Sequence, residues 1–162
     1  MSEEVERKFV VAEPSEVRGR LASAGVASTA VAIRQGYLAA EDDVELRLRI
    51  TGSGSVITVK AGSGLHRTEV ECAITDADAE ALWPRTVGRR LEKVRHRVDL
   101  GPLTAEVDIY GGELDGLVVV EVEFASEAAA DDFTPPDWFG DEVTGRREWS
   151  NASLARHGAP SS

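Results

Sequence analysis

The first stretch with chemistry in it is Glu4-Val5-Glu6-Arg7-Lys8. Successive side chains of a β-strand point to opposite faces. An extended chain here therefore sets Glu4, Glu6 and Lys8 on one face and Val5, Arg7 and Phe9 on the other. Two carboxylates beside an ammonium can hold a divalent cation and an anionic oxygen together. The same pattern is also that of an ordinary strand with one face in water. Which reading applies depends on what the rest of the chain sets beside it.

The alternation recurs along the chain. Glu45, Arg47 and Arg49 alternate with Leu46, Leu48 and Ile50, and Thr58 and Lys60 with Ile57 and Val59. Arg67, Glu69 and Glu71 alternate with Thr68, Val70 and Cys72; Lys93, Arg95 and Arg97 share one face of a later run. Glu106 and Asp108 alternate with Ala105, Val107 and Ile109, and Glu121 and Glu123 with Val120, Val122 and Phe124. Some runs are mainly basic and the last two mainly acidic. A solvated face needs no such sorting. A channel that grips a polyanion between cationic walls and holds metal on carboxylates does.

The elements that must carry these residues are short. Strands are predicted over 3–11, 33–39, 44–51, 55–61, 66–74, 89–99, 103–110 and 117–124. Most are joined by hairpin-length turns such as Gly52-Ser53-Gly54, Gly62-Ser63-Gly64 and Gly101-Pro102. Helices are predicted from Pro14-Ser15, with Ser15 as cap, to Gly25; from Thr75 or Asp76 to Pro84; from the cap Ser126 through Asp132; and over 146–156. Trp138-Phe139 reads as a packing anchor. Eight such strands suit a closed antiparallel barrel, and the fold class is α+β. Two arrangements fit the alternation. The aliphatics fill the barrel and the charges face water, or the aliphatics pack outward against the helices and the charges line a channel. The second must be filled by water or ligand, because buried charges are costly unless paired.

The 162 residues make one domain, read as 1–157 with a loose tail over 158–162. The net charge of −11 argues against a nucleic-acid or anionic-membrane binder. No obligate protein partner is evident. The acidic N-terminus lacks the apolar run of a signal peptide, and no segment is long enough to span a bilayer. The single cysteine, Cys72, has no internal disulfide partner. It reads as a small core hydrophobe in a reduced, cytoplasmic protein. Neither glycine-rich turn leads into Lys-Ser/Thr and a helix, so there is no P-loop. His66, His96 and His157 have no ligand spacing and are placed at the surface or at strand ends.

With these residues in order, the chain resembles the CYTH superfamily, the triphosphate tunnel metalloenzymes. The matching pieces are Glu4-Val5-Glu6-Arg7-Lys8, Glu45-Leu46-Arg47-Leu48-Arg49, Thr58-Val59-Lys60, Arg67-Thr68-Glu69-Val70-Glu71, Lys93-Val94-Arg95, Asp108 and Glu121-Val122-Glu123-Phe124. Arg34-Gln35-Gly36-Tyr37-Leu38, Leu82-Trp83-Pro84, Gly88-Arg89-Arg90-Leu91-Glu92-Lys93, Trp138-Phe139-Gly140 and Glu142-Val143-Thr144 are similar to the small bacterial inorganic triphosphatases in particular. Trp149-Ser150-Asn151 departs from the family, which usually has Tyr before the serine.

The resemblance implies an eight-stranded tunnel with a charged interior and helices outside. It implies a linear triphosphate as substrate and Mg²⁺ or Mn²⁺, as two ions, as cofactor. Lys8, Arg47, Arg49, Lys60, Arg67, Lys93 and Arg95 fall where the family holds phosphate oxygens. Glu4, Glu6, Asp108, Glu121 and Glu123 fall where it binds metal or the attacking water, with Glu69 and Glu71 in support and no role carried onto Arg97. Glu4 and Lys8 are the expected catalytic pair, Glu4 with a metal orienting water and Lys8, or a neighbouring arginine, stabilising the leaving pyrophosphate. The expected reaction is hydrolysis of inorganic triphosphate to pyrophosphate and phosphate. The alternatives are an adenylyl cyclase, a thiamine triphosphatase and a non-catalytic polyphosphate or nucleotide sensor. No aromatic platform for adenine or thiazolium is evident, and the complete carboxylate set counts against a sensor.

Overall fold

The computed structural model describes residues 5–23, 30–41, 44–61 and 68–160. In chain order the elements are β1 (Val5–Val10), α1 (Pro14–Ser23), β2 (Val31–Glu41), β3 (Val44–Thr51), β4 (Gly54–Ala61), β5 (Thr68–Ile74) and α2 (Asp76–Leu82). There follow β6 (Arg90–Asp99), β7 (Thr104–Tyr110), β8 (Val118–Phe124), α3 (Glu127–Asp132), β9 (Asp141–Glu142) and α4 (Asn151–His157). Short 3-10 turns lie at Trp83–Thr86, Gly112–Leu114 and Arg147–Trp149. The described residues are therefore α+β, an antiparallel sheet with four α-helices. Two strand features differ from expectation. There are nine described strands, because Asp141–Glu142 adds itself to the edge of β1. Both β5 and β9 are end strands, so the described strands do not form a closed ring of eight.

The described residues divide into two compact units, one from residues 32–92 and 148–162, the other from 4–31 and 93–147. In the second unit β6, β7, β8, β1 and β9 lie in that order. The register sets Glu6 opposite Glu123 and Lys8 opposite Glu121 across β1 and β8. It sets Glu106 opposite Glu121 across β7 and β8. The other face of these strands is apolar: Phe9, Ala105, Val107, Val118, Val120, Val122 and Phe124 pack against Val17 and Leu21 of α1, Ala130 of α3 and Phe139. In this unit the aliphatics thus face the helices and the charges face away from them. Sequestering one stripe per helix against the sheet is what buries these side chains, at roughly 1.5–3 kcal/mol for each large one.

Helix termini follow local chemistry. Ser126 accepts a hydrogen bond from the Ala129 N–H and Thr75 from the Asp78 N–H, as caps do. The cap expected at Ser15 is displaced: α1 begins at Pro14, and the Glu16 N–H bonds to the Glu13 carbonyl. Proline suits a first helical position because the N–H it lacks would have no helical partner there. Arg7 faces away from the charged side, as its place in the alternation requires. It donates to Glu142 Oε1 and Oε2 at 2.9 and 2.7 Å and to the Ala130 and Phe133 carbonyls at 2.9 and 2.8 Å.

The backbone of Lys8 is fixed by the segment after β9. The Lys8 N–H donates to Thr144 Oγ1 at 3.0 Å, and the Val143 N–H donates to the Lys8 carbonyl at 2.8 Å. Gly140 makes this approach possible. Its φ is +82°, and an added Cβ would sit 2.2 Å from the Val10 carbonyl oxygen and 2.9 Å from the Ala12 nitrogen. Backbone atoms cannot yield as a flexible side chain does. Gly140→Ala is expected to cost about 2–5 kcal/mol through strain and overpacking together. Urea denaturation checks this, and a midpoint equal to wild type would show that the segment adjusts freely.

In the first unit the strand order is β5-β4-β3-β2. β3 and β4 join through Gly52-Ser53, as expected, with Thr51 opposite Gly54. Helix α2 and the turn after it cover β2–β4 on one side. The guanidinium groups of Arg34 and Arg90 both lie over the Trp83 ring, 4.3 and 4.6 Å from its centre. Thr86 closes on Gly36, where any Cβ would lie 2.6 Å from the threonine side chain. The sequence motifs around Gly36, Trp83 and Arg90 thus meet as one packing unit. Cys72 is a correction: it is exposed, not a core hydrophobe. β5 is an end strand on which Val70 is 51% exposed, so alternation there does not report burial. No helix among the described residues is long and apolar enough to cross a membrane.

Candidate active site

In the second unit the charged face grades from a buried end to an open one. Lys93 and Asp108 form the buried end, their side chains 0% and 1% exposed. The Lys93 ammonium donates to Asp108 Oδ2 at 2.5 Å and lies 5.5 Å from the centre of the Tyr110 ring. Arg95 grips the same carboxylate in a fork, Nε to Oδ1 and Nη2 to Oδ2, both at 2.7 Å. Both oxygens of Asp108 are therefore committed to cations. Arg95 also donates to Glu106 and, from Nη2, to Glu121 Oε2 at 3.2 Å. Glu121 takes the Lys8 ammonium on its other oxygen at 2.8 Å.

These contacts set the protonation states. Burial by itself would raise the Asp108 carboxyl, but Lys93 and Arg95 outweigh it and hold the group down at about 2. Burial likewise opposes the Glu121 carboxylate, and Lys8 and Lys93 still hold its pKa below the usual range. Burial dominates at Lys93 and pulls its ammonium down, with Asp108 in opposition. Arg95 goes the other way: its carboxylate partners overcome burial and raise it further.

The open end is a cavity of about 300 Å³ lined by Glu6, Arg97, Pro102, Leu103, Thr104, Glu106, Glu121 and Glu123. Glu6 and Glu123 are exposed and face one another across β1 and β8. Arg97 donates to Glu106 Oε1 at 3.0 Å. Four carboxylates on one cavity wall supply oxygen donors alone, the set that hard divalent cations such as Mg²⁺ and Mn²⁺ take, rather than the nitrogen and sulfur typical of zinc. Among the described residues no three acidic, histidine or cysteine side chains converge into a metal cluster. Glu4, expected as a ligand and as catalytic, lies outside the described residues. The donor chemistry at Glu6 and Glu123 fits a hard cation, and Glu121 offers an oxygen once Lys8 leaves it; Asp108, with both oxygens held by buried cations, acts here on Lys93 and Arg95.

The first unit carries the other expected cations. Arg47 is buried, its Nη2 donating to Thr58 Oγ1 at 3.1 Å and lying 3.6 and 3.8 Å from Glu69 and Glu71. Thr58, fully buried, donates its own hydroxyl hydrogen bond to Glu71 Oε1 at 3.1 Å. Lys60 pairs with Glu69 at 3.0 Å. Glu69 and Glu71 therefore orient cations in this unit. Arg49 is half-buried and lies next to Arg47 on the same face of β3. Arg67 lies outside the described residues. Thr58 and Glu106 are contributors to which the expected site residues gave no role; their place in the alternation is the signal for both.

A CYTH domain family model matches residues 2–153. The chain is 46% identical to an inorganic triphosphatase of Nitrosomonas europaea over 94% of its own length and 96% of that protein's. It is 35% identical to an inorganic triphosphatase of Acetivibrio thermocellus, covering 97% of this chain and 96% of the relative. A crystal structure of an inorganic triphosphatase superposes with a TM-score of 0.72 at 39% identity, covering 99% of each chain.

Proposed function

The chain belongs to the CYTH domain family, and from that premise we propose that it is a metal-dependent hydrolase of inorganic triphosphate, releasing pyrophosphate and phosphate. The observation that carries the reading is the graded face of the second unit, with Lys8, Lys93 and Arg95 behind a cavity walled by Glu6, Glu106, Glu121 and Glu123. Such a face offers cations to phosphate oxygens and oxygen ligands to a metal. The two triphosphatase relatives span nearly the whole chain and support the choice of substrate. A tunnel with its charges inside is part of the same proposal, as is a single domain over 1–157.

Phosphoryl transfer needs little covalent help from a protein; it needs positioning and neutralised charge. Arg47, Arg49 and Arg95 would grip phosphate oxygens as planar forks, and Lys8, Lys60 and Lys93 would follow them as point charges, with Arg67 in the same set. Glu6, Glu121 and Glu123, with Glu4, would hold one or two Mg²⁺ or Mn²⁺ ions. Bound there, a divalent ion neutralises phosphate charge and lowers the pKa of an attacking water. Lys8 would carry the charge that develops on the leaving pyrophosphate. Its movement between Glu121 and a phosphate oxygen is a change of partner for one flexible ammonium. Asp108 would keep Lys93 and Arg95 charged and aimed.

A substrate panel tests the reading. Purified protein is given tripolyphosphate, ATP or thiamine triphosphate with Mg²⁺ or Mn²⁺, and phosphate, pyrophosphate and cyclic AMP are measured. Pyrophosphate and phosphate from tripolyphosphate, at a rate at least tenfold above the other two, is the expected result (about 1.4 kcal/mol of discrimination). Cyclic AMP as main product would overturn the hydrolase reading, and tight binding without turnover would make the protein a sensor.

A further inference from the structure

The alternation at Arg34-Gln35-Gly36-Tyr37 splits these residues between two faces of β2. Arg34 and Gly36 meet Trp83 and Thr86 on the helix-covered side. Gln35 and Tyr37 stand on the other, opposite Arg49 and Arg47 of β3. Gln35 is 0% exposed and Tyr37 1% exposed. The Gln35 Nε2 donates to the Tyr37 hydroxyl oxygen at 2.7 Å, and Gln35 Oε1 has no hydrogen-bond partner. On the same face, the Nε atoms of Arg47 and Arg49 are buried with no hydrogen-bond partner either. Three buried polar atoms in this state on two adjacent strands are costly, each by roughly 1–3 kcal/mol, unless something meets them.

Two of the three are donors, and an anion meets donors. The third becomes a donor as well if the carboxamide turns over. Its oxygen and nitrogen are nearly isosteric, so rotation by half a turn keeps the shape and exchanges the roles. Oε1 then accepts from the Tyr37 hydroxyl, and Nε2 is presented beside the two guanidiniums. Tyr37 can play either part because burial keeps its phenol protonated far above neutral pH.

We propose that Gln35, seated by Tyr37, is a further substrate-binding residue: its amide donates a neutral hydrogen bond to a phosphate oxygen held by Arg47 and Arg49. The inference rests on the triphosphatase reading and extends it. A neutral donor at this place adds geometry without adding charge. It ties the buried end of the arginine pair to one phosphate oxygen, whereas arginines alone tolerate a sliding anion.

The test is calorimetric titration of sodium tripolyphosphate into the wild type, Gln35→Met, Tyr37→Phe and the double variant, with EDTA present so that no metal contributes. Gln35→Met keeps shape and removes both polar atoms. A hydrogen bond to a charged group predicts binding weakened about tenfold to a hundredfold. Tyr37→Phe is expected to weaken it less, and the double variant to match Gln35→Met, since the tyrosine acts through the amide. With metal restored, KM should rise by a similar factor with kcat held within about twofold, the signature of lost uniform binding. Gln35→Glu is the second variant, of the same shape with a negative charge; it should weaken binding at least a hundredfold, a loss of about 2.7 kcal/mol. Thermal melting without ligand verifies that each variant is folded. A folded Gln35→Met that binds tripolyphosphate within twofold of wild type overturns this inference and leaves the triphosphatase reading standing. A wild type that neither binds nor hydrolyses tripolyphosphate overturns both.

Discussion

Asp108→Ala is expected to lower the unfolding free energy by about 3–5 kcal/mol, as breaking one side of a buried ion pair does. The reason is Lys93. Its side chain is 0% exposed and its ammonium rests on Asp108 at 2.5 Å. Without the carboxylate, the ammonium must stay charged in a site that burial already makes unfavourable, or lose its proton. Arg95 suffers less, since Glu106 and Glu121 remain to it. Replacing both partners by apolar residues of similar size, Lys93→Met with Asp108→Leu, should return stability to within about 1–2 kcal/mol of wild type or above it. That double variant would still lack the charges for phosphate binding. Urea denaturation at pH 7 checks the ordering. If Asp108→Ala alone unfolds at the wild-type midpoint, the pair has no structural role. The pH dependence gives a second check. Asp108 has a depressed pKa in the folded protein, about 2, so its contribution is present above the ordinary carboxylate range and is lost as pH falls through about 2. The shift corresponds to on the order of 2 kcal/mol. The stability gap between wild type and Asp108→Ala should therefore narrow between about pH 4 and pH 2.

This result bears on what could be read from the amino-acid order. A period of two is local, so Glu6 and Lys8, Arg47 and Arg49, and Lys93 and Arg95 could be assigned to shared faces from spacing alone, and the structure places each pair so. Two helices were legible in full for a similar reason: the caps Thr75 and Ser126 act within a few residues. The last helix was expected over 146–156 but begins at Asn151, because Ser150 caps it after a 3-10 turn at Arg147–Trp149. What spacing does not carry is register between strands. That Asp108 serves two cations follows from Arg95 lying opposite it, a pairing set by the turn at Gly101 and by the core beneath. Spacing also carries no information about edges. Cys72 and Val70 alternate as a core face would, yet β5 leaves them exposed. β9 has two residues and no periodicity; it exists because Gly140 lets the chain lie against the edge of β1. Gln35 was visible only as part of a motif, since an unpartnered amide oxygen is a property of the packed strands and not of the residue.

Glu123→Gln is expected to cut tripolyphosphate turnover by at least about a hundredfold, some 2.7 kcal/mol of transition-state stabilisation, while leaving the fold intact. Its position separates it from Asp108. Glu123 is exposed, lies opposite Glu6 and lines the cavity at its open end. Glutamine keeps the shape and one oxygen but removes the charge that a divalent cation requires. Because the side chain is exposed, stability should stay within about 0.5 kcal/mol of wild type. The concentration of Mg²⁺ needed for half-maximal rate should rise together with the fall in kcat. A lost hydrogen bond to substrate would instead raise KM alone. Glu106→Gln is the control on the same cavity wall: Arg95 and Arg97 both donate to that carboxylate, so its loss should disturb cation orientation with a smaller change in metal requirement. Turnover of Glu123→Gln within threefold of wild type would remove the open-end carboxylates from the metal assignment and leave the buried end to account for catalysis. The two variants thus divide one charged face by exposure. The buried carboxylate is expected to show itself in stability and the exposed one in rate.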